Sequence, residues 1–124
     1  MSNTQVFRAI MFGIAFWFAA AMVIHWLPGL FDAGRYQALL FAVSIPIAWM
    51  SLPIAKLASG LERPRVIEVI VIGTIAATFL DGLALTWFPA LYAGLSPTTQ
   101  YGAAWILWGV GWLLLFARWR SAQP

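Results

Sequence analysis

The chain has 124 residues, of which 63% are hydrophobic and 9% charged, with a formal net charge of +3. A globule of that composition could not cover a water-facing surface, so lipid is the expected solvent, and the length holds four spans of about 20 residues with no soluble domain besides. Cysteine is absent and histidine occurs once, which excludes disulfides, thiolate chemistry and a paired-histidine haem or zinc site; no metal or cofactor is expected.

The first span is expected over residues 6–27. Arg8 precedes it, and the apolar run continues to Leu27 with no small-x-small cleavage site after it, the pattern of a span rather than of a signal peptide. His25 stands at its far end. The span closes on Trp26-Leu27-Pro28-Gly29-Leu30-Phe31, a phrase that returns as Trp87-Phe88-Pro89-Ala90-Leu91-Tyr92 after 61 positions, about half the chain. The sequence therefore reads as two tandem helical hairpins, residues 1–60 and 61–124, each turning at an aromatic-proline corner. Trp marks the headgroup level there, and Pro cannot continue the ladder of the preceding helix.

Arg35 introduces the second span, residues 37–58. Ser44-Ile45-Pro46-Ile47-Ala48 is echoed by Ser51-Leu52-Pro53-Ile54-Ala55, which sets both prolines on nearly one face. Each proline frees one carbonyl, of Ala42 and Trp49, which the hydroxyls of Ser44 and Ser51 lie close enough to engage. Pro46 and Pro53 are candidate hinges in a substrate path, or else bends that fit the helix around its neighbours. The next loop, residues 59–65, carries Glu62, Arg63 and Arg65 and reads as a solvated turn.

Asp81 is the least expected residue of the third span, residues 66–88. A central Asp costs about 2.5 to 3.5 kcal/mol on insertion, so such a group faces the bundle interior, pairs, or takes a proton. At about 1.5 Å per residue it lies roughly 10 Å from Trp87. Its counterpart in the first hairpin is Ala20, so the acid breaks the repeat. Candidate partners are His25, Arg35, or a Tyr or Thr hydroxyl. A paired Asp81 is a clamp; an unpaired one in a wet cavity binds a cation or relays a proton.

Tyr101, Trp105, Trp108 and Trp112 of the fourth span, residues 98–116, are spaced to share one helical face. That face is a candidate wall for a flat apolar ligand or a quaternary cation, or an ordinary packing stripe. Gly102 and Gly109 lie beside it and would admit a neighbouring backbone.

Every Lys and Arg except Arg35 falls on the side of the termini and the middle loop. The positive-inside rule then puts both termini in the cytoplasm and both corners outside, with the two hairpins parallel rather than inverted. The basic residues are too scattered for a nucleic-acid patch, and no nucleic-acid partner is expected.

The segment Phe79-Leu80-Asp81-Gly82-Leu83-Ala84-Leu85 leading into Phe88, Pro89 and Tyr92, and then Gly102-Ala103-Ala104-Trp105-Ile106-Leu107-Trp108-Gly109, resembles a family of small four-span bacterial membrane proteins defined as a domain of unknown function. The resemblance implies a bacterial inner-membrane setting and supplies no activity. Small multidrug-resistance transporters are also short four-span proteins with a membrane acid, but their acid lies in the first span, where this chain has none between Arg8 and His25.

The expected architecture is all-α, a single membrane-embedded four-helix bundle of two parallel hairpins. The expected role is that of a non-enzymatic inner-membrane protein in contact with the bilayer, which assembles with itself or serves as an accessory subunit of a larger membrane complex. The alternative is a small transporter or ligand-binding protein, with Asp81 as cation or proton site, Trp105, Trp108 and Trp112 as wall, and Pro46 and Pro53 as hinges. An enzyme acting on a lipid or quinone would need an acid-base constellation around Asp81 that the sequence lacks.

Overall fold

A computed structural model describes residues 1–61 and 65–122. Four helices account for most of it: α1 (Asn3–Trp26), α2 (Gln37–Ser59), α3 (Val66–Trp87) and α4 (Pro97–Ala122), with short 3-10 segments at Pro28–Gly34 and Pro89–Leu91. Each helix is long and apolar enough to cross a bilayer, and the chain is a multi-pass membrane protein. Large apolar side chains such as Leu57, Phe79 and Leu107 point away from the bundle at more than 70% exposure, which lipid rather than water must cover.

The helix limits follow from local chemistry. Ser2 and Gln5 form a reciprocal capping box that starts α1 before the apolar run begins. Pro28 and Pro89 stop α1 and α3 at the corners, and Gly60, at a φ of 71°, supplies the left-handed turn that ends α2. The α4 helix outruns its expected end at residue 116. Its extra turn carries Arg120 over the Trp49 ring, 4.8 Å from the centroid, while Ser121 Oγ donates to Ala117 O, so the polar end remains packed. Arg63, one of the basic residues of the middle loop, lies outside the described residues.

Helices α1 and α3 form one layer, α2 and α4 the other, and the two layers are joined by opposite means. In the first, Gly13 meets the backbone of Gly73 so closely that a Cβ at residue 13 would overlap the Gly73 carbonyl, with Ala9 completing the small-residue face. In the second, aromatic rings interlock. Trp108 stacks on Phe41 at 4.5 Å and 11°, Trp49 meets Phe116 edge-on at 5.2 Å, and the indoles of Trp105 and Trp108 donate to the carbonyls of Leu40 and Phe41.

Those two acceptors lie just before Ala42, the residue whose carbonyl Pro46 leaves without its helical donor. The serine hydroxyls go elsewhere than the sequence suggested: Ser44 bonds Phe41 O and Ser51 bonds Ile47 O, not the carbonyls of Ala42 and Trp49. Back-bonding within the helix is the shorter reach for a serine side chain. Pro46 and Pro53 themselves face outward, while Ser44 and Ser51 are buried. Trp108→Phe keeps the stack on Phe41 and removes one donor from a carbonyl that still accepts from Ser44. The expected loss is about 1 kcal/mol in a detergent unfolding titration.

The core is divided. One cluster, at the end holding the termini, gathers Ala9, Leu52, Ala55, Ile70, Leu113 and Phe116; the other, at the corner end, gathers Ile24, Phe31, Leu40, Ala84 and Tyr92. Small residues of all four helices occupy the depth between them.

Candidate functional site

Both corners use the same construction. Trp26 and Trp87 face outward at 72% and 67% exposure, whereas the aromatic residues that end the two phrases, Phe31 and Tyr92, are fully buried. Phe31 packs edge-on against Trp105 at 5.4 Å. Tyr92 turns back toward α3 and donates its hydroxyl to Asp81 Oδ1 at 2.5 Å, while Trp17 Nε1 donates to that hydroxyl at 3.0 Å. Burial, followed by the hydrogen bond to Asp81, raises the Tyr92 phenol above its ordinary value, so the hydroxyl keeps its proton and serves as donor.

His25 and Arg35 stand apart from this acid. His25 Nδ1 lies 3.0 Å from Ala90 O and 3.1 Å from Tyr92 O, the geometry of a ring N–H shared by two loop carbonyls. It ties α1 to the second corner and so holds Tyr92 in place. Arg35 lies over the ring of its neighbour Tyr36, 5.5 Å from the centroid. Of the candidate partners, a hydroxyl is the group brought to Asp81, because the corner folds Tyr92 back over the last turns of α3.

Asp81 also faces a cavity of about 210 Å³ that opens between the two helix layers. Its walls come from all four helices: Phe16, Trp17, Ala19, Ala20 and Val23 on α1, Ser44, Ile47 and Ala48 on α2, Ala77, Thr78 and Asp81 on α3, and Trp105, Ile106, Gly109 and Val110 on α4. Ala19, Ile47 and Thr78 remain exposed, so the space communicates with the side of the bundle. The polar groups of the wall are mostly committed: Ser44 to Phe41 O, the Trp105 indole to Leu40 O, and the Trp17 indole to Tyr92. Asp81 is the acidic member of the lining, with Thr78 one turn away on the same helix.

The aromatic stripe divides at this point. Trp105 lines the cavity; Trp108 and Trp112 lie outside its lining and serve the α2–α4 layer, and Tyr101 accepts from Gln37 Nε2 through its backbone carbonyl while its ring lies against Gly34. Four aromatic residues on one face of a helix this long meet different neighbours at different depths. Trp17 and Phe16 on α1 supply the opposing aromatic surface. Gly102 admits the Ile24 side chain rather than a backbone, and Gly109 borders the cavity with Ser44 at ordinary contact distance. Among the described residues, no three His, Asp or Glu side chains converge as a metal site would require.

No family model matches the chain, and neither a curated protein nor a solved structure matches it.

Tyr92 was not singled out in the sequence, although a signal for it was present. The two copies of the corner phrase differ at their last position, Phe31 against Tyr92, and the equivalent positions of the helices leading into them differ as Ala20 against Asp81. The hydroxyl and the carboxylate thus enter in the same half of the chain, as two partners must.

Proposed function

We propose that this membrane protein is a non-catalytic binding protein that takes a small, largely apolar molecule from the bilayer into the space between its helix layers. One observation carries the reading: an apolar cavity interrupts the core at mid-depth and presents a single carboxylate, that of Asp81, among aromatic and aliphatic walls. A sequence selected for stability alone would fill such a gap with larger side chains and would not retain an acid beside it. Ala19, Ala20, Ala48, Ala77 and Gly109 keep the gap open. The asymmetry of basic residues supports cytoplasmic termini, and the resemblance carried by residues 79–85 supports a bacterial inner membrane. A role in self-assembly or as an accessory subunit would rest on the outward apolar faces, which lipid alone suffices to cover.

Photolabelling with trifluoromethyl phenyl diazirine, an apolar reagent that partitions into bilayers, tests the reading. Insertion is expected at the inward positions Ala48 and Ile106 as well as at lipid-facing Phe79 and Leu107. Gly109→Leu projects a side chain into the cavity, since a Cβ there meets only Ser44 Cβ, at 3.9 Å. This variant is expected to lose the inward labelling, keep the lipid-facing labelling, and gain stability, because replacing a helical glycine contributes about 1 kcal/mol. Labelling confined to lipid-facing positions in the wild-type protein would contradict the reading.

A further inference from the structure

The chemistry of the same cavity narrows its ligand. Building on the binding role proposed for it, we infer that the site selects a small organic ammonium, with its charge at Asp81 and its apolar body toward Ala77 and Ile106. Tyr92 occupies Oδ1 of Asp81 and the Trp17 indole stands beside the same carboxylate, which still lines the cavity. A carboxylate accepts up to about four hydrogen bonds, so Tyr92 and Trp17 together leave it undersupplied. No Lys, Arg or His lines the space, so a cation that pairs with this carboxylate would come from outside the chain.

The walls then discriminate among cations. A divalent metal ion that has shed its water requires about six oxygen ligands from the site. Here one carboxylate and the Thr78 hydroxyl are available, because the Ser44 hydroxyl is spent on Phe41 O. An ammonium bearing carbon substituents requires no such cage. It gains from one carboxylate together with the Trp17 and Trp105 rings of the lining, since an indole attracts a cation that has lost its water. An anion would meet the carboxylate directly. The volume sets the scale: 210 Å³ exceeds the roughly 150 Å³ that suffices for benzene, which leaves room for one ring with a small charged head.

The test compares benzyltrimethylammonium with neopentylbenzene, its neutral isostere, as competitors of diazirine labelling at Ala48 and Ile106, using the full chain in lipid nanodiscs with concentrations referred to the bilayer phase. The ammonium is expected to protect at about tenfold lower concentration than the isostere. Asp81→Asn is expected to erase that preference and Asp81→Glu to retain it. The wild-type comparison decides the matter even where a variant fails to fold. Equal protection by the two compounds, or protection by neither while inward labelling persists, overturns the ammonium assignment and leaves the binding role standing. Absence of inward labelling in the unprotected protein removes the binding role and the assignment with it.

Discussion

Gly13→Leu is expected to abolish assembly of the bundle, seen as loss of a monodisperse folded species in detergent. Helices α1 and α3 approach through bare backbone, and a Cβ at residue 13 collides with the carbonyl oxygen, Cα and carbonyl carbon of Gly73, none of which can rotate away. Overpacking that a flexible side chain absorbs costs about 1 to 3 kcal/mol, and a backbone obstacle exceeds that range. A whole domain is stable by about 5 to 15 kcal/mol, so separating these two helices is enough to remove the fold. Gly13→Ala is expected to be milder and still clearly destabilising. Gly73→Ala is expected to be the mildest, because its Cβ would stand 3.2 Å from Ala9 O and 3.3 Å from Gly13 Cα, backbone atoms that must shift by a little, and the gain in helix propensity, about 1 kcal/mol, offsets part of that crowding. The order Gly13→Leu, Gly13→Ala, Gly73→Ala in melting temperature checks the geometry; equal effects at residues 13 and 73 would contradict it.

A second large effect is expected at the Asp81–Tyr92 pair. Tyr92→Phe keeps a buried ring and removes the donor from Asp81 and the acceptor from Trp17. An acid left without its donor at this depth costs about 1 to 3 kcal/mol. Adding Asp81→Ala to Tyr92→Phe gives the second hairpin the residues the first has at Ala20 and Phe31. The double variant is expected to recover most of the loss, because replacing both partners with apolar groups removes the stranded charge as well as the bond. Such recovery is the non-additivity expected of residues in contact or in one hydrogen-bond network. Losses that simply add would mean that Tyr92 stabilises the corner without reference to the acid.

The contrast between these two sites explains what the sequence could disclose. Spans were legible because hydropathy and the stops at Pro28, Gly60 and Pro89 are local properties, and the structure departs from the expected limits by a few residues at most ends. The α4 end is the exception, prolonged by Arg120 on Trp49, a contact between residues 71 positions apart. Asp81 was legible as a costly residue. Its partner was legible only as one of several kinds, His25, Arg35 or a Tyr or Thr hydroxyl, because Tyr92 becomes its neighbour only when the corner folds back. The contact of Gly13 with Gly73 was hidden for the same reason: Gly102 and Gly109 stood beside a conspicuous aromatic stripe, and nothing local distinguishes a glycine that meets a backbone from one that borders a void. Of the stripe itself, Trp105 reached the cavity and Trp108 and Trp112 did not, a division set by where α2 lies across α4.

Xenon gives the most direct measurement. It enters dry, apolar cavities of this size, and its anomalous scattering locates it without any assumption about the natural ligand. Crystals of the protein equilibrated under xenon pressure are predicted to show a peak between the helix layers, bounded by Ala20, Ala77, Trp105 and Ile106 and close to Asp81. The same crystals of Gly109→Leu are predicted to show none there. A wild-type structure in which side chains close that space, with no xenon between the layers, would contradict the existence of a binding cavity at Asp81.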